Sequence, residues 1–171
     1  MIEETIIITE SIKNTVFSAV ISKLISDGID IGREKIREII KNKSNKNGGF
    51  CKEIYTILVN VVNKVTYNKM GEKIYDIAEN ILLNLLENKY DYKEEIRMEV
   101  EKKGVYSLNV EKFVDIFIRE ICSDKNENVY REIEIHMLLS NINNNRVVMQ
   151  ELQEIKTLLK KKVEENDYRY K

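Results

Sequence analysis

Apolar residues recur at helical spacing along nearly the whole chain. The most regular run is "EKIYDIAENILLNLLENK", where Ile74, Ile77, Ala78, Ile81, Leu82, Leu85 and Leu86 follow an i, i+3, i+4, i+7 pattern. "FCKEIYTILVNVVNKVTY" repeats it with Phe50, Ile54, Ile57, Leu58, Val61, Val62 and Val65, a pattern that a strand reading leaves erratic. Residues 2–9 are β-branched and fit a short strand or an extended lead-in. Thr9 or Ser11 then caps a helix running to about Asp27, and Gly28 ends it. "DIGREKIREIIKN" continues helically with Ile31, Ile36, Ile39 and Ile40 on one side, so the first 42 residues read as two helices or one kinked at the glycines.

Residues 42–49, "NKSNKNGG", form the strongest loop signal, and Gly71 separates the next two helices. A shorter helix follows from about Tyr92 to Lys103. Ser107 or Asn109 caps "VEKFVDIFIREIC", "SDKNEN" breaks the pattern, and "VYREIEIHMLLSNI" forms another helix. The last one, "RVVMQELQEIKTLLKKKVEE", carries an amphipathic stripe of Val148, Leu152, Ile155 and Leu159, with Lys160, Lys161 and Lys162 expected near its end to complement the helix dipole. These elements predict an all-α single bundle of about seven helices, mostly antiparallel with short loops. It would span residues 1–163, with a polar C-terminal tail at 164–171.

Composition agrees with this. Proline is absent and only six of 171 residues are glycine, which removes the turn chemistry of an all-β fold, and 43% apolar residues suffice for a core. Lys+Arg 28 nearly balances Asp+Glu 29, so no global field draws a polyanion and nucleic acid is not an expected partner. Glu10, Lys13 and Lys23 interrupt the most hydrophobic stretch before it reaches the ~18 apolar residues of a spanning helix. Two distant cysteines, Cys51 and Cys122, and the lack of a leader pattern at the start read as a cytoplasmic protein with reduced thiols.

One segment departs from the ordinary helix pattern. In "SIKNTVFSAVISKLIS", Ser11, Thr15, Ser18, Ser22 and Ser26 fall within a sector of about 80° on a helical wheel, while apolar residues including Phe17, Val20 and Leu24 spread over roughly 240°. Such a helix is either central to the bundle, its hydroxyls permitting close backbone approach, or it holds an interaction or membrane surface that can be released.

Phosphate-binding glycine loops, the serine elbow, HExxH and CxxC are all missing, so no metal and no cofactor is expected. "REIEIH" places Arg131 and His136 at the R-x4-6-H spacing of the HEPN ribonucleases, where the histidine works as general acid or base on a ribose hydroxyl and the arginine holds the phosphate. Two features oppose this. HEPN proteins favour a small polar residue after the arginine and here Glu132 stands, and five residues on a regular helix put the two side chains ~140° apart. A helical residue paired with Glu132 one turn earlier is the simpler reading of His136. Tyr90, Tyr92, Tyr168 and Tyr170 beside charged residues suit base stacking, but half-buried tyrosines with wet hydroxyls explain them more simply.

The pattern I-Y-D-x-A-E-x-x-L-x-x-L (Ile74 to Leu85), the F-x-x-x-F-x-x-E-I-C stretch (Phe113 to Cys122), Y-R-E-I after an Asp/Asn-rich break and the closing "LQEIKTLL" resemble the helical N-terminal domains that precede NACHT-type P-loop NTPases in bacterial antiphage STAND proteins. The resemblance implies a non-enzymatic effector or adaptor, held inactive until self-association or a protein partner gathers copies, and acting on membranes in some relatives. It supplies no catalytic residues, and the NTPase and sensor parts are not in this chain. Two alternatives remain open: a HEPN-like ribonuclease toxin using Arg131 and His136, and a small phage- or plasmid-encoded inhibitor that binds a defence protein.

Overall fold

The computed structural model describes residues 7–28, 32–41, 49–87, 92–102, 109–140 and 146–169. They form an all-α bundle: α1 (Glu10–Ser26), α2 (Arg33–Lys41), α3 (Gly49–Val65), α4 (Lys73–Glu87), α5 (Tyr92–Lys102), α6 (Val110–Ile121), α7 (Glu127–Leu139) and α8 (Arg146–Arg169). The expected count of about seven becomes eight because α1 and α2 are separate helices. Thr9 caps α1, its hydroxyl oxygen accepting from the Ile12 amide at 3.4 Å, and Gly28 closes it at φ +75°, a conformation that a side chain would strain. Of the predicted loop at residues 42–49, 42–48 lie outside the described residues and Gly49 already belongs to α3; of the lead-in at residues 2–9, only 7–9 are described, and they form no strand.

Side-chain contacts between helices give the directions. Glu134 meets Gln153, Tyr130 meets Lys156 and Asp124 meets Lys160, so partner numbers rise on α8 as they fall on α7 and the two are antiparallel. Arg33 with Glu87 and Arg37 with Glu79 set α2 antiparallel to α4 in the same way. Lys64 with Glu120 and Tyr67 with Lys112 do so for α3 and α6. By contrast α1 runs alongside α6, with Lys13 on Glu111 and Asp115 and Phe17 against Phe117.

The C-terminal half of α4 is wrapped on all sides. Six consecutive residues, Ile81 to Leu86, are buried, Asn84 among them with its amide oxygen accepting from Arg33 at 3.4 Å. A helix apolar all round must have neighbours all round, and α2, α3 and α5 supply them. Phe17, Phe113 and Phe117 fill the other half of the core, with Tyr92 stacked on Phe17 at 4.2 Å between ring centroids.

Two boundaries differ from expectation. The break after Cys122 is a 3-10 turn (Asp124–Asn126) leading straight into α7, and α8 runs to Arg169 through the stretch expected as a tail. Lysine and glutamate propagate a helix well, and neither proline nor glycine stops it. Lys160 to Lys162 are therefore not at the helix end. Lys160 instead pairs with Asp124 at 3.4 Å, and Lys156 lies 4.3 Å from the Tyr130 ring centroid.

The end of α3 breaks a local rule. The amide of Asn68 donates to the Asn63 carbonyl at 3.0 Å and that of Tyr67 to Lys64 at 3.2 Å, the paired bonds of a Schellman motif whose left-handed position is normally glycine. Tyrosine occupies it here, at φ 53°, with Asn68 at φ 60°. A side chain in that conformation costs roughly 1–2 kcal/mol relative to the right-handed region.

Candidate interaction surface

The hydroxyl seam of α1 faces outward. Ser11, Ser18 and Ser26 are exposed and Thr15 and Ser22 half-buried, while Phe17, Val20 and Leu24 are core and unavailable to a partner or a bilayer in this state. Serine's small side chains let the flanking helices rise close on either side. α5 reaches one flank through Tyr92, whose hydroxyl donates to Asn14 at 2.8 Å, and α7 reaches the other. The 240° apolar arc is thus the imprint of several neighbours, and the seam is the narrow opening between them.

On the α7 side the two features singled out in the sequence meet. Ser22 Oγ and His136 Nε2 stand 2.8 Å apart, either the hydroxyl donating to a neutral ring or the ring N–H donating to the hydroxyl oxygen. His136 therefore bonds to Ser22, across 114 residues, and Glu132 turns instead to Lys23 at 3.6 Å. Burial lowers the affinity of Lys23 for its proton, but Asp27 and Glu132 outweigh it and hold the ammonium above its usual range. Burial, and secondarily the Glu132 charge, pushes the Glu53 carboxyl up. Arg131 lies on the outer face with Glu127 at 3.5 Å. α7 is a regular helix, so Arg131 and His136 stay far apart around it and go to different partners.

A Ser22–His136 bond of this kind contributes about 0.5–1.5 kcal/mol. In a double-mutant cycle of Ser22→Ala and His136→Ala, followed by denaturant unfolding, we expect a coupling energy of that size. A coupling near zero would show that the bond does not stabilise the α1–α7 contact.

The exposed apolar side chains lie beside this seam. Leu138 is 60% and Leu139 79% exposed at the last turn of α7, with half-exposed Ile135 about one turn before them, and Val147 is 63% exposed at the first turn of α8. The sequence held a signal for this that the periodicity reading passed over: Met137, Leu138 and Leu139 are consecutive, and one helix face cannot bury all three. Met137 takes the core position, and the leucines fall about 100–160° away from it. The start of α1 lies at this same end, where Thr9 donates to Glu151 at 3.3 Å, one turn beyond Val147.

Val148, Leu152 and Ile155 are buried and Leu159 half-buried, so the stripe of α8 is core contact. Tyr92 is buried against Phe17, while Tyr90 and Tyr170 lie outside the described residues and nothing is described of the Tyr168 side chain. Cys51 and Cys122 are buried free thiols, pushed up by burial to about 11 and about 12, and so are poor nucleophiles. No group of His, Cys, Asp or Glu that could hold a metal ion occurs among the described residues, and no helix among them is long and apolar enough to cross a membrane. In comparisons with known proteins, no family model, curated protein or solved structure matches the chain.

Proposed function

We propose that this chain is a non-enzymatic helical interaction module, an effector or adaptor of bacterial antiphage immunity that acts in the cytoplasm by assembling with a second copy or a partner protein. The observation that carries this reading is the group of exposed aliphatic side chains, Leu138, Leu139 and Val147, bordered by the uncharged hydroxyl seam of α1. Large aliphatic residues gathered at one end of a bundle are typical of a protein contact, and a border of serines lets another surface approach without desolvating charge. The immune setting rests on the resemblance to NACHT-associated N-terminal domains.

Assembly through the folded surface is favoured over release of α1 into a membrane by energetics. α1 buries six large apolar side chains, Ile12, Val16, Phe17, Val20, Ile21 and Leu24. Exposing them costs about 9–18 kcal/mol at 1.5–3 kcal/mol each, comparable to the roughly 5–15 kcal/mol that holds a whole domain together. Freeing α1 would therefore be global unfolding rather than a local switch.

Sedimentation velocity over a broad concentration range tests the reading. The wild type is expected to gain mass with concentration, and Leu139→Glu to weaken self-association at least roughly tenfold with an unchanged helical circular-dichroism spectrum, since a charge replaces a buried leucine at the contact. A wild type that stays monomeric throughout would remove self-association. Dye release from liposomes by the folded wild type, abolished in Leu139→Glu, would move the reading to membranes.

A further inference from the structure

We propose that Tyr67, Lys69 and Lys112 form a docking point for the carboxylates of an acidic segment on a partner protein. The inference begins at the end of α3, where a tyrosine holds the left-handed position that glycine fills at least strain. Strain of this kind persists where the side chain has a use that offsets it. Core packing is not that use, because Tyr67 is 68% exposed.

What Tyr67 does touch is a cation. Lys112, in the first turn of α6, donates from Nζ to the phenol oxygen at 2.8 Å. The ammonium lies 4.7 Å from the ring centroid, so the oxygen rather than the ring face is its main contact. With its oxygen accepting from lysine, the phenol keeps its own proton to donate outward. The hydrogen bond and charge of Lys112, aided by Lys69, hold this phenol below the usual tyrosine range, which makes it a stronger donor.

The two lysines are also free to bind. Lys13, Lys64 and Lys93 on neighbouring helices are each paired with a carboxylate, whereas neither Lys69 nor Lys112 has one within 4.0 Å among the described residues. Glu111, next to Lys112, is already neutralised by Lys13 and Lys93. An exposed phenol O–H, the Lys112 ammonium bonded to its oxygen and the exposed Lys69 two residues along the chain thus offer donors at the end of α3. Carboxylate is the matching ligand. The chain's near-zero net charge gives no wider field to hold a nucleic acid. Tyrosine is also among the residues enriched at interface hot spots.

This site, at the α3–α4 turn and the first turn of α6, shares no residue with the aliphatic group of Leu138, Leu139 and Val147, so separate variants let self-association and acidic-segment binding fail separately. The test is an NMR titration of the whole chain with a hexaglutamate peptide, alongside inorganic phosphate and a short RNA. Saturable shifts centred on Tyr67, Lys69 and Lys112 and weakened by salt are expected, with Lys69→Gln/Lys112→Gln binding at least roughly tenfold less tightly. Tyr67→Gly separates function from structure: it should melt at or above the wild-type temperature, being relieved of strain, and lose hexaglutamate binding. No saturable binding, binding unaffected by the lysine changes, or a Tyr67→Gly protein that melts well below wild type would each overturn the proposal. Tighter binding of phosphate or RNA than of hexaglutamate would overturn the choice of a carboxylate partner.

Discussion

Replacing Phe17 by alanine is expected to remove about 3–5 kcal/mol of stability and lower the melting temperature by roughly 6–20 °C. Phe17 is buried and stands where three helices meet, stacked on Tyr92 of α5 at 4.2 Å and tilted against Phe117 of α6 at 4.8 Å. Truncation leaves a ring-sized cavity with aromatic walls that cannot close, because each is fixed by its own helix. Thermal unfolding followed by circular dichroism measures the effect. A shift of only a degree or two would mean that α1 can slide inward to fill the gap, and would weaken the view that α1 is inseparable from the core.

The second large effect is an alkaline collapse. Burial pushes Cys51 up to about 11 and Cys122 to about 12, both above the thiol range of an unfolded chain. Between those ranges the unfolded state releases protons that the folded state retains, so stability is fully present below about pH 8.5–9 and falls as pH rises. Across the roughly two pH units between 9 and 11 the two thiols together contribute a loss of about 5 kcal/mol. Burial raises Tyr130 too. The raised lysines Lys13 and Lys23 act in the same direction, since the stabilisation from their carboxylate partners disappears as the ammonium groups deprotonate. Urea unfolding at pH 8 and at pH 10.5 should show the drop, and Cys51→Ala/Cys122→Ala should flatten much of it. An equal drop in that double variant would assign the alkaline loss to tyrosine and lysine instead.

The helices were legible because each is a local pattern. The i, i+3, i+4 apolar spacing of α3 and α4, the capping side chains of Thr9 and Asn109, and Gly28 and Gly71 all act within a few residues of the feature they determine. Contacts between helices left no such trace. Nothing near His136 announces Ser22, 114 positions away, and Glu132 one turn earlier is the natural local guess until Lys23 is seen to take it. Tyr67 was hidden for a related reason. A Schellman ending is recognised in sequence by its glycine, and the tyrosine replacing it looks like one more residue of the helix. The width of the apolar arc on α1 was legible as a number but not as an arrangement. It foretold several neighbours, while the outward turn of the serines depends on where those neighbours stand.

The position of α1 also sets an order of events during synthesis. α3 and α4 are consecutive and pack on each other, so they can pair soon after leaving the ribosome. α1 emerges first, yet its apolar arc rests on α6, α7 and α8, the last of which reaches its contact residues near Leu152. At roughly 5–20 residues per second, the ~130 residues between Leu24 and Leu152 take on the order of ten seconds to translate. Until α5 and α6 emerge this apolar helix lacks its native neighbours, and until α8 follows its arc is only partly covered, which makes it the natural landing place for a chaperone.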